Sequence, residues 1–164
     1  MRFLYHILSW LSNRVNRLIE WVLFGLGLSM ALLIGLQVFF RYGLNHSLFW
    51  SEELGRMFLV WLTFLGATVA YKRQAHIGID FLFLKAPARV RIYLKVIVLA
   101  GSLFFFWIMA WYGFEFFHFI RFQKTVALGV SKQIPFMMVP VSGCILLLHA
   151  VVFLLAMFYE KGTS

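Results

Sequence analysis

Charge is scarce in this sequence. Asp, Glu, Lys and Arg make up 13% of its 164 residues, against about 25% in a soluble domain. A soluble fold of this length could not hide the 63% of residues that are hydrophobic inside one core. The excess must face a medium as apolar as itself, and lipid is that medium. Acids are scarcer than bases, six against fifteen, for a net charge of +9. On a soluble chain that balance would suggest nucleic acid. Here the basic residues flank apolar runs, so they are expected to set topology and meet phospholipid headgroups, with no nucleic acid as partner. Cysteine occurs once, at Cys144, inside an apolar run. That excludes an intrachain disulfide and a cysteine metal cluster, and leaves a small packing residue. A Gly-rich phosphate loop, an H-E-x-x-H pair and a nucleophile elbow are all missing. The expectation is a chain with no catalytic residues, no cofactor and no metal.

What is present is apolar sequence arranged as four runs, rich in aromatics (20%) of the kind that suit lipid contact and interfacial belts. The predicted fold is an all-α integral membrane protein, one membrane domain over residues 1–164. Residues 1–20 are amphipathic, with Phe3, Leu4, Ile7, Leu8, Leu11, Val15, Leu18 and Ile19 at helical spacing and Ser12, Asn13, Asn16 and Arg17 away from that stripe. This segment is read as an arm helix lying on the membrane or on a partner. It is not read as a cleaved signal, because its polar stretch is too long and no small-residue cleavage site follows. Residues 21–40 form the first span, uncharged and about 30 Å long as a helix. Residues 48–56 form a short interfacial helix that runs into the second span, residues 54–71. The third run, residues 90–122, is longer than a bilayer requires and is expected to tilt or project. The fourth, residues 134–158, holds Pro135, Pro140 and Gly143 near its start, where a kink is expected.

Ten of the fifteen Lys and Arg residues fall in the N-terminal segment, the stretch 72–95 and the C-terminal tail. The positive-inside rule then puts both termini in the cytoplasm of a bacterial inner-membrane protein. Lys72, Arg73, Lys85, Arg89, Arg91 and Lys95 become the candidate lipid-headgroup contacts.

Four polar sets interrupt the apolar runs. Gln37 and Arg41 sit one turn apart at the end of the first span. Trp50, Glu52, Glu53 and Arg56 follow, and on a helix both carboxylates can reach the guanidinium. Acids near a membrane boundary are costly unless paired, so this set is either a solvated surface ion pair or an anchor against another helix or subunit. His76 and Asp80 are four apart in a loop. Glu115, His118 and Arg121 share one face of the long third helix. With Lys124 and Lys132 they form a candidate docking face, or a face wetted because the helix protrudes.

In order and spacing, Gln37-Val38-Phe39-Phe40-Arg41-Tyr42, Trp50-Ser51-Glu52-Glu53-Leu54-Gly55-Arg56, Trp61-Leu62-Thr63-Phe64-Leu65-Gly66-Ala67 and His76-Ile77-Gly78-Ile79-Asp80 resemble one family. It is the DctQ family, the small membrane subunits of tripartite ATP-independent periplasmic (TRAP) transporters. Gly55 stands where alanine is more usual. A looser likeness continues over residues 126–140. The resemblance implies a non-catalytic four-helix subunit that scaffolds a large, sodium-coupled elevator subunit. It also implies a transient periplasmic substrate-binding protein, and organic-acid substrates of the C4-dicarboxylate or sialic acid class. Gln37, Arg41, Trp50, Glu52, Glu53, Arg56, His76 and Asp80 would then be the structural and partner-facing polar set. Glu115, His118, Arg121, Lys124 and Lys132 would form the periplasmic docking face.

Two rivals stay open on sequence. One is a haem-binding redox subunit, which would need histidines paired at equal depth; of the five, only His118 and His149 lie within apolar runs. The other is a stand-alone carrier, which normally needs repeats, broken helices and a midplane site.

Overall fold

A computed structural model describes residues 2–46, 48–73 and 87–161. Among these residues the regular structure is helical, with one isolated antiparallel bridge between Lys124 and Ser131. Four helices are long and apolar enough to cross a bilayer: Phe3–Gly43, Phe49–Lys72, Tyr93–Phe119 and Gln133–Met157. His76, Asp80 and Lys85 lie outside the described residues.

Helix α1, Arg2–Gly43, has 42 residues and so reaches about 63 Å. The expected arm and the first span are therefore one element. Residues 13–24 contain neither Pro nor Gly, so nothing interrupts the backbone ladder where the arm would have bent away. The helix stops where Asn45 takes a left-handed conformation (φ 51°) and the His46 amide turns back to the Phe40 carbonyl at 3.0 Å. Helix α2, Phe49–Lys72, likewise joins the expected interfacial helix to the second span without a break. It starts two residues ahead of Ser51. That hydroxyl donates to the Leu48 carbonyl at 2.7 Å, and the side chain is buried.

Helix α3, Ala88–Phe119, starts after Pro87 and ends three residues earlier than the apolar run. The cause lies in the next segment. Gln123 and Thr125 pair with Lys132 and Val130 across a tight turn, through Lys132 N to Gln123 O at 2.9 Å and Thr125 N to Val130 O at 2.8 Å. That pairing takes residues 123–132 out of any helix. The fourth run divides into α4, Gln133–Phe136, and α5, Met138–Lys161. Pro140 has no amide hydrogen to offer the Phe136 carbonyl, so the ladder breaks where a kink was expected.

Apolar packing joins the elements in two places. Ile19 of α1, Leu65 of α2 and Met138 of α5 form one buried cluster, with Val15, Trp61 and Phe64 around it. Phe106 of α3 packs with Leu146 and Ala150 of α5, beside Tyr71. Lipid is as apolar as leucine, so close packing rather than water exclusion must hold such helices together. The α3–α5 crossing shows how. A Cβ added at Gly143 would lie 2.8 Å from the Ala110 backbone nitrogen, and one at Gly113 would lie 3.1 Å from Pro140 N. Large side chains instead line the outside, among them Phe24, Leu32, Trp107, Trp111 and Phe114. A water-facing surface would not carry them together.

Candidate functional site

The charged corner that the sequence singled out sits in the first turns of α2. Of the two readings its spacing left open, the internal ion pair is not formed among the described residues. Glu53 turns to the loop after α3, where its Oε2 accepts the backbone amides of Ala127 at 2.9 Å and Leu128 at 2.8 Å. Two oriented N–H donors suit a carboxylate better than one mobile guanidinium at the surface. The loop is built to present them. Thr125 Oγ1 accepts the Val130 amide at 3.2 Å, Gly129 supplies the left-handed residue (φ 67°), and the strand-like pairing of 123–125 with 130–132 closes the turn. Val126, at the tip, is 99% exposed. Among the described residues the ion pair is Arg73 with Glu20, at 2.7 Å.

With Glu53 engaged, the rest of the corner points outward. Trp50, Glu52 and Arg56 are exposed, as is Arg41, whose guanidinium lies 5.7 Å from the Tyr42 ring centroid; Gln37 is half-buried. On the other helix pair, Glu115, His118 and Arg121 are all exposed. The His118 ring meets Phe114 edge-on at 4.8 Å, and the Arg121 guanidinium lies 4.4 Å from the Phe122 ring. Lys124 is exposed, and Lys132, half-buried, reaches Gln123 Oε1 at 3.4 Å.

Lys72 and Arg73, expected at lipid headgroups, find partners inside the protein. Lys72 Nζ donates to Ser12 Oγ, and Arg73 takes the Glu20 carboxylate while remaining 64% exposed. Lys95 is exposed on α3; Arg89 and Arg91 lie in the first turns of the same helix.

Sequence reasoning missed a polar cluster within the bundle. Ser12, Asn16 and Glu20 follow one another at one-turn steps on α1, with Ser12 buried, Asn16 half-buried and Glu20 partly exposed. Ser12 Oγ lies 2.8 Å from His149 Nδ1, with both side chains fully buried. Asn16 donates to Glu20 Oε1 at 2.8 Å. A lysine ammonium only donates, so Ser12 accepts from Lys72 and passes its own hydrogen to the imidazole. One serine therefore ties α1, α2 and α5 together. The i, i+4 spacing of the three polar residues, facing a histidine deep in an apolar run, was the signal available.

The family model described as tripartite ATP-independent periplasmic transporters, DctQ component, matches residues 30–159. The chain belongs to the DctQ family. Among its relatives is the sialic acid TRAP transporter small permease protein SiaQ of Vibrio cholerae. It is 26% identical over 136 residues, covering 83% of this chain and 79% of SiaQ. The C4-dicarboxylate TRAP transporter small permease protein DctQ of the same organism is 33% identical over 111 residues, 64% of this chain and 47% of that protein. The sialic acid TRAP transporter permease protein SiaT of Haemophilus influenzae is 26% identical over 133 residues, 81% of this chain but 22% of SiaT. The chain thus spans about half or less of the length of several curated relatives, 54% of a Haemophilus influenzae small permease relative among them. This DctQ-family chain is a multi-pass inner-membrane protein of a transporter family.

Proposed function

We propose that this chain is the non-catalytic small membrane subunit of a TRAP-type secondary transporter for an organic acid. It braces a large sodium-coupled membrane subunit in the bilayer. The observation that carries this reading is the corner at the start of α2. Glu53 is spent on locking the loop 123–132, and Trp50, Glu52 and Arg56 are left exposed beside it. Charges and an indole at a membrane boundary, unpaired among the described residues, suit a second subunit that pairs them.

The relatives support the same partner. This chain matches 22% of SiaT and 15% of the isethionate TRAP transporter permease protein DctMQ of Oleidesulfovibrio alaskensis. We read the remainder of those longer permease proteins as the large subunit fused to a small one. The relatives' names favour a carboxylate or sulfonate substrate, with sialic acid and C4-dicarboxylates foremost. Specificity would then reside in the large subunit and in a periplasmic binding protein. That protein would meet this chain on the face of Glu115, His118, Arg121, Lys124 and Lys132. Phospholipids complete the surroundings.

Co-purification tests the corner. Glu52→Ala or Arg56→Ala should each lower recovery of the large subunit several-fold when the small subunit carries the affinity tag. Glu115→Ala, on the other helix pair, should leave recovery unchanged. Wild-type recovery by both corner variants would sink the bracing role of these residues.

A further inference from the structure

We propose that the outward face of α1 around Arg14 and Arg17 binds the headgroup of an anionic phospholipid. With Ser12, Val15, Asn16 and Ile19 turned to the bundle, the helical period of 100° per residue directs Trp10, Asn13, Arg14 and Arg17 away from it. These four side chains, all on adjacent turns of α1, border an open surface hollow of about 270 Å³. Both arginines are exposed, and the Arg14 guanidinium lies 5.4 Å from the Trp10 ring centroid.

Neither guanidinium forms an ion pair among the described residues. Arg17 lies in the field of Glu20, but that carboxylate already accepts from Arg73 and Asn16. The same helix exposes Phe3 and Ile7 before the hollow, and Leu18, Trp21 and Phe24 after it. Two cations therefore sit between exposed apolar side chains along one helix. A guanidinium there needs a counter-anion, and the phosphate at the bilayer boundary is the one at hand. Planar guanidinium donors a single turn apart match phosphate oxygens in pairs. The indole supplies the amphipathic wall typical of that depth. This site is separate from the corner proposed to hold the large subunit, and its success or failure leaves that reading untouched.

The test is native mass spectrometry of the full chain, released from detergent after equilibration with equal amounts of phosphatidylglycerol and phosphatidylcholine. The wild type should retain phosphatidylglycerol in preference to phosphatidylcholine. Arg14→Gln with Arg17→Gln should lose that preference several-fold, and Arg14→Lys with Arg17→Lys should keep part of it. Equal retention by wild type and the double glutamine variant would overturn the proposal. Displacement of the lipid by millimolar inorganic phosphate would overturn it too, by showing a free-anion site. A second readout does not depend on altering the arginines. Brominated phosphatidylglycerol should quench the emission component lost in Trp10→Phe more than brominated phosphatidylcholine does, and equal quenching would count against the site.

Discussion

Glu53 shows how little of a side chain's role follows from its spacing. Three residues from Arg56, it was placed to form a helical ion pair. The folded chain instead offers it two backbone amides from a loop more than seventy positions away. Two backbone amides held in one orientation by the turn grip a carboxylate better than a mobile guanidinium does. Glu53→Ala should free both donors and loosen the turn. Hydrogen exchange at Ala127 and Leu128 should then run on the order of tenfold faster, with the amides of α5 unaffected. Unchanged exchange at the two loop positions would show that the turn holds its shape without the carboxylate. Ser12 teaches the converse. It looked like part of a solvated polar face, and it is among the most buried side chains of the described chain because Lys72 and His149 meet there.

At the scale of elements, helix type and extent were largely legible. Each apolar run became a helix, and the prolines of the fourth run divided it where backbone hydrogen bonding demands. What was not legible was continuity. A change from amphipathic to wholly apolar sequence at residue 20 suggested two elements, but periodicity describes a helix's surroundings rather than its ends. A breaker or a competing backbone pairing ends it, and α1 has neither there. Helix pairing was equally hidden, since Gly143 and Gly113 reveal their use only against Ala110 and Pro140. Gly143→Ala should place a methyl against an Ala110 backbone that cannot yield, lowering stability by about 1–3 kcal/mol. Gly35→Ala, with nothing within 4 Å of the added carbon, should be neutral or stabilising, by up to about 1 kcal/mol. Thermal unfolding of the two variants in the same detergent checks the contrast. A Gly143→Ala protein as stable as wild type would mean that the crossing adapts.

For the whole molecule, charge predicts the orientation. Ten of the fifteen basic residues lie on the side assigned to both termini. A reporter fused after Ser164 should therefore be active in the form that reports cytoplasm. Activity on the periplasmic side would reverse the assignment and move the loop 123–132, with Val126 at its tip, to the cytoplasmic face. The corner at α2 and the basic hollow on α1 belong to different parts of the surface, so partner binding and lipid binding are separable by mutation.

The sequence by itself determined that this chain lives in a bilayer, that it does so as four helices, and that it belongs with the DctQ family. Those properties depend on composition, run length and short motifs, all of which are local. The tertiary structure decided which polar residues serve the fold and which remain for others. Glu53, Ser12, Lys72 and Arg73 are consumed inside the chain, whereas Trp50, Glu52, Arg56, Arg14 and Arg17 are left exposed. Hydrogen bonds reach only about 3 Å, so their partners are settled by which segments the packing brings together.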